Sequence, residues 1–183
     1  GNGYASGGLA LGGAISGSGG IIYDSTSAVF DNDNFDGPGF FLLYGTTSNS
    51  YTGTTTAKGN VWLLLARSAN AVAVPTDLTI SNNAVVTIIS SEQIADNASV
   101  TVNSHGQSMS SMSSVPTMAS GLNLGLFGGS MPVVETIGSL YGSGTVGLGN
   151  GTLRIGAGNF SGVISDGRIF SATLASASAT AGA

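Results

Sequence analysis

An all-β domain built from many short strands is what this sequence predicts, and three observations carry that prediction. Small apolar residues recur two positions apart, the spacing that puts both side chains on one face of a strand. The 3.6-residue period of an amphipathic helix is hard to find. Between the apolar pairs lie short runs of Gly, Ser, Asn and Asp, the residues from which tight turns are made.

The pairs run along the whole chain: Leu9 and Leu11, Leu78 and Ile80, Val100 and Val102, Val146 and Leu148, Leu153 and Ile155. The breaks are "GSGG" (17–20), "SNN" (81–83), "GSG" (142–144), "GNG" (149–151) and "SDG" (165–167). Such close punctuation leaves room for strands and turns and little else. Two runs are more fully apolar, "FFLLY" (40–44) and "VWLLLA" (61–66), and read as strands buried on both faces. The polar stretch 104–121 reads as a loop.

The segment "LALGGAISGSGG" (9–20) recurs loosely as "LRIGAGNFSGVISDG" (153–167), which sets Ile15 on Ile164. A chain that closes on the pattern with which it opened has the property of a stackable unit. Strands stacked about 4.8 Å apart in a coil bond to each other between turns, point Val, Ile and Leu inward, and need Gly or Asn at the corners. Like charges stacked at that spacing repel, so Ser and Thr are favoured outside. The open ends of such a coil are edges that recruit other chains.

The segments "NSYTGTTTAKGNVWLLLA" (49–66), "DLTISNNAVVTI" (77–88), "QIADNASVTVN" (93–103) and "ETIGSLYGSGTVGLGNGTLRIG" (135–156), in that order, resemble the autotransporter-associated β-strand repeats of bacterial surface proteins. The likeness spans most of residues 9–170. It implies a right-handed parallel β-helix of the kind found in secreted passenger regions. Two features depart from the family pattern: the bulky run "KGNVWLLLA" and the stretch 104–121.

Composition bounds the function. Of 183 residues only 7% are charged, against about 25% in an average soluble protein. The 42% hydrophobic content and a net charge of −5 argue against disorder, and glycine lacks the three-residue period of collagen. Four basic residues, Lys58, Arg67, Arg154 and Arg168, cannot neutralise a phosphate backbone, which excludes nucleic acid as a partner. No apolar run approaches the roughly 18 residues of a membrane helix. Without cysteine there is neither a disulfide framework nor a thiolate metal site. Low charge and abundant Ser, Thr and Gly suit an exported surface protein. The start at Gly1, with no methionine or basic stretch, reads as a processed form or an excised fragment.

Groups able to do chemistry are few. His105 is the single histidine, no G-x-S-x-G elbow accompanies it, and a solvated loop residue is the simpler reading. Asp31, Asp33 and Asp36 in "DNDNFDG" form the one acidic cluster. Phe35 and a displaced glycine break the calcium-loop pattern, so a solvated turn is favoured over a cation site. Glu92 and Glu135 stand apart, without the paired carboxylates of a polysaccharide-cleaving site. "GSGTVG" (142–147) matches a dinucleotide fingerprint, but no helix-forming segment follows it. "TGTTT" (52–56) could present a threonine ladder. Asn97, Asn150 and Asn159 fit the glycan acceptor pattern.

These observations converge on a non-enzymatic, extracellular structural protein with no cofactor and no metal, whose partner is itself. The expected fold is a single β-solenoid-like domain, with a β-sandwich that exchanges a donor strand as the alternative. Residues 1–22 are expected to be a joining segment, 23–170 the body and 171–183 a tail. Leu9, Leu11, Ile15, Ile21 and Ile22 at one end, and Ile169, Phe170 and Leu174 at the other, are the expected assembly surface of a head-to-tail fibre. A monomeric adhesin binding carbohydrate or surfaces is the alternative function, and a polysaccharide-acting enzyme the least favoured.

Overall fold

A computed structural model of the chain describes residues 8–25, 39–104, 108–109, 118–125 and 132–165. Among these residues there is no helix, and so none long and apolar enough to cross a membrane. The strands are, in order, β1 (Gly8–Leu11), β2 (Ser16–Gly17), β3 (Ile21–Ser25), β4 (Gly39–Gly45), β5 (Ser50–Tyr51), β6 (Thr55–Gly59), β7 (Val61–Arg67), β8 (Leu78–Asn82) and β9 (Val85–Ile88). They continue as β10 (Ser99–Ser104), β11 (Ser108–Met109), β12 (Met118–Ala119), β13 (Gly121–Leu124), β14 (Val134–Gly142), β15 (Thr145–Gly147), β16 (Thr152–Phe160) and β17 (Val163–Ser165).

The chain is all-β, and its two large sheets are parallel throughout. Sheet 1 has seven strands in the order β1-β4-β7-β9-β13-β15-β17, and sheet 2 has six in the order β3-β6-β8-β10-β14-β16. Each visit to sheet 1 is followed by one to sheet 2 and then by the next place in sheet 1. One circuit therefore advances the chain by one strand spacing, about 4.8 Å. The parallel pair β2–β5 and an isolated bridge between Val74 and Ile94 lie on the connections from sheet 1 to sheet 2. Donor-strand sandwiches pack antiparallel sheets. Here the antiparallel pairing among the described residues is β11 with β12, so the sandwich alternative does not describe those residues.

Parallel stacking turns the two-residue period into columns. Leu9, Phe41, Leu63, Val86, Leu122, Val146 and Ile164 occupy one register line across all seven strands of sheet 1. Leu11, Leu43, Leu65, Ile88 and Leu124 form a second line beside it. From sheet 2, Leu78, Val100 and Leu140 and, beside them, Ile80 and Val102 point into the same core and are buried. Each such side chain stabilises the fold by roughly 1.5–3 kcal/mol relative to exposure.

Corners require backbone that most residues avoid. Gly45 has φ +99°, and a Cβ there would stand 2.4 Å from the Gly12 carbonyl oxygen on the adjacent circuit. A side chain is excluded twice over, by conformation and by stacking distance.

The run 61–66 is placed as expected, whereas the expectations for 40–44 and 104–121 change in detail. The run 61–66 lies on β7, where Val61, Leu63, Leu64 and Leu65 are buried, as expected of a doubly covered strand. The run 40–44 on β4 is mostly half-buried and Tyr44 is exposed, because β4 stands one place from the edge of sheet 1. The stretch 104–121 is not wholly a loop: Ser104 ends β10, β11 and β12 form a hairpin within it, and Gly121 opens β13. In addition, the boundary expected after residue 22 falls inside β3, so residues 8–22 belong to the first circuit of the coil.

Candidate functional site

The coil exposes apolar surface where its columns run out of neighbours. At one end, β1 and β3 are the edges of the two sheets; at the other, β17 and β16 are. Between them Leu63, Val86, Leu122 and Val146 are fully buried, whereas the terminal members of the same line, Leu9 and Ile164, are 49% and 45% exposed. Val163 at 61% and Ile155 add to the second end. Beside Ile164 an open hollow of about 480 Å³ is lined by Leu140, Ile155, Ala157, Gly158, Phe160 and Gly162. It opens because Gly158 (φ +137°) follows Leu140 in the register and brings no side chain to cover it.

The expected assembly residues divide accordingly. Leu11, Ile15 and Ile21 are half-buried and packed against the core of the first circuit. Ile22 is 64% exposed on the outer face of sheet 2, pointing sideways from the coil instead of along it. Ile15 does not match Ile164 in three dimensions. It sits on the corner before β2, while Ile164 lies in sheet 1, where its counterpart on the first circuit is Leu9. The sequence repeat aligned glycine spacing, and glycines recur at several corners of the coil. Ile169, Phe170 and Leu174 lie outside the described residues, as do His105 and the Asp31, Asp33, Asp36 cluster.

A second feature escaped sequence reading: a line of polar side chains inside one corner. Arg67, fully buried, donates from Nη2 to the Gly13 carbonyl (2.8 Å) and to Asn49 Oδ1 (2.7 Å), and from Nη1 to the Thr47 carbonyl. Asn49 also accepts from the Ile15 N–H (2.9 Å) and donates to the Ala73 carbonyl (2.7 Å). Gln93 binds both the N–H and the carbonyl of Arg67, at 2.7 and 3.0 Å. Glu135, also fully buried, accepts the N–H groups of Gln93 (2.9 Å) and Ile94 (2.7 Å), one on each carboxyl oxygen.

These four residues bridge successive circuits beside the β2–β5 pair and the Val74–Ile94 bridge, and their buried polar groups are tolerated because all but Arg67 Nε are hydrogen-bonded. Burial pushes the Glu135 carboxyl up to about 8, against the pull of its two N–H donors. Burial also lowers the Arg67 guanidinium and raises the Tyr23 and Tyr51 phenols. In sequence, Glu135 looked isolated because its partners are main-chain groups forty-odd residues away.

The remaining motifs are placed by the sheets. "GSGTVG" joins β14 to β15, a strand-to-strand corner with no helix to hold a pyrophosphate. "TGTTT" cannot be a ladder by itself, because neighbours along a strand face opposite ways: Thr55 is buried inside, Thr56 half-buried outside. Threonines do stack across circuits, Thr56, Thr79 and Thr101 lying in one outward line. Asn97, Asn150 and Asn159 are all exposed. Among the described residues no group of three or more His, Asp or Glu side chains is arranged to hold a metal ion. No protein-family model, curated protein or solved structure matches the chain.

Proposed function

We propose that the chain is a right-handed β-solenoid that serves as the subunit of a head-to-tail fibre at an extracellular surface, with a structural and not a catalytic role. The observation that carries this reading is the apolar column of sheet 1, buried through its middle and half exposed at Leu9 and Ile164. A contact between two different ends repeats without closing unless rotation brings it into a ring, so it propagates as a filament. The likeness of residues 9–170 to autotransporter-associated repeats supports the handedness and the surface location. The exposed asparagines 97, 150 and 159 are compatible with glycans on such a fibre.

Electron microscopy of the purified chain tests the reading directly. Fibres one coil wide are expected, and Leu9→Lys should abolish them while changing the stability of the isolated subunit by less than about 1 kcal/mol. Monodisperse particles under all conditions would overturn the fibre and favour a monomeric adhesin.

A further inference from the structure

We infer that one copy joins the next through sheet 1 alone, β17 of one copy pairing in parallel with β1 of the following copy so that Ile164 lies opposite Leu9. This rests on the fibre reading above and specifies its joint.

The strand counts force a choice. Among the described residues sheet 1 has seven strands and sheet 2 six, so at the far end the described part of sheet 1 projects one strand beyond its companion. At the near end the chain enters sheet 1 first, with β1, and sheet 2 second, with β3. Setting the next copy's β1 on β17 keeps sheet 1 continuous. It leaves β16 and the next copy's β3 two spacings apart, about 10 Å. Setting β3 on β16 instead would drive the incoming β1 into the place that β17 holds. The described strands of two copies cannot satisfy both edges at once.

Three observations select sheet 1. Its terminal residues continue one apolar column: joining Ile164 to Leu9 would bury the two exposed members as their five counterparts between them are covered. Its edge strands, "GLAL" and "VIS", carry no charge and no proline, the devices by which edges normally discourage pairing. The edges of sheet 2 do carry charge, Asp24 on β3, paired with Lys58 at 3.2 Å, and the exposed Arg154 on β16. In the proposed register Val163 falls opposite Gly8 and Ser165 opposite Ala10, so the most exposed residue of β17 meets the position without a side chain. The hollow lined by Leu140, Ile155, Gly158 and Phe160 opens into the gap left in sheet 2.

The chain has no cysteine, so paired cysteines report the register without background. Opposed positions on adjacent parallel strands lie within the 4.4–6.8 Å Cα range of a disulfide. Ala10→Cys combined with Ser165→Cys should give, on mild oxidation of assembled protein, a ladder at multiples of the subunit mass on a non-reducing gel. Ala10→Cys with Val163→Cys, which matches a two-residue slip, should cross-link about tenfold less or weaker still. Either single variant should stop at dimers. A ladder from the Val163 pair in place of the Ser165 pair overturns the register. Fibres from both double variants with no ladder overturn the sheet 1 joint and leave the fibre standing. If neither these variants nor the unaltered chain forms fibres, the fibre reading fails and the joint with it.

Discussion

Leu63 and Leu9 are the same residue type in the same column of the same sheet, both aimed at the core, yet one is fully buried and the other about half exposed. The difference lies in their neighbours. Leu63 has Phe41 on one side and Val86 on the other, whereas Leu9 has Phe41 alone. In a parallel stack the strands above and below supply most of a side chain's cover, so each end of the stack is apolar by construction. The middle circuits hold the fold together. The ends, made of the same residue types, lack that cover, which is why the proposed joint is placed there.

Four outcomes would break or sharpen that contrast. The largest belongs to the middle of the stack. Arg67→Ala removes the side-chain donor to the Thr47 and Gly13 carbonyls and one of the two donors to Asn49 Oδ1, and it empties a fully buried position. Removing those bonds and leaving a cavity should cost about 3–5 kcal/mol in urea unfolding.

Next comes the paired test of the column itself. Leu63→Ala should destabilise by about 2–5 kcal/mol, the range for a sealed core leucine. Leu9→Ala in dispersed subunits should cost less than about 1 kcal/mol. Equal losses would mean that the ends are covered in solution.

A pH dependence follows from Glu135. Its carboxyl titrates near 8 in the folded chain against 4.5 as the ordinary value. Below the lower value both states are protonated; between the two the unfolded chain ionises and the folded one does not. Stability should therefore fall as pH rises from 4.5 to about 8 and level off above, by a few kcal/mol at most. Glu135→Gln should flatten this slope. It should also add a constant cost of about 1–3 kcal/mol, because an amide nitrogen cannot accept from the main-chain N–H it would face. A slope that survives the substitution would assign the titration elsewhere.

The smallest effect is expected at Tyr23, whose buried hydroxyl has no partner while its ring meets Phe41 edge-on at 5.1 Å. Tyr23→Phe keeps the ring and removes the orphan, so thermal unfolding should move upward or stay, within about 1 kcal/mol. A clear loss would reveal a partner for the hydroxyl.

Much of this architecture was legible in the residues. Pairs such as Leu78 and Ile80, or Val100 and Val102, lie on strands with both members inside, because a period of two admits one inward face. Turn residues marked the corners for the same local reason. Long-range matching was less legible. Ile15 and Ile164 resemble each other in their flanking glycines, but glycine records that the chain turns and not which face it has reached. Arg67, Asn49, Gln93 and Glu135 gave no signal, since each is satisfied largely by carbonyl and N–H groups, which every residue possesses and no sequence distinguishes.

By itself, then, the sequence determined that this chain is all-β, where it turns, and which side chains face inward along each strand, since those properties depend on a few adjacent residues and the geometry of one strand. Tertiary structure decided which strand stands above which, that among the described residues seven places in sheet 1 face six in sheet 2, and that Leu9 and Ile164 end one described column. Those properties depend on register between segments 18 to 40 residues apart, where circuits of unequal length must still align. Stacking energy summed over a whole column sets that alignment, and no single segment contains it.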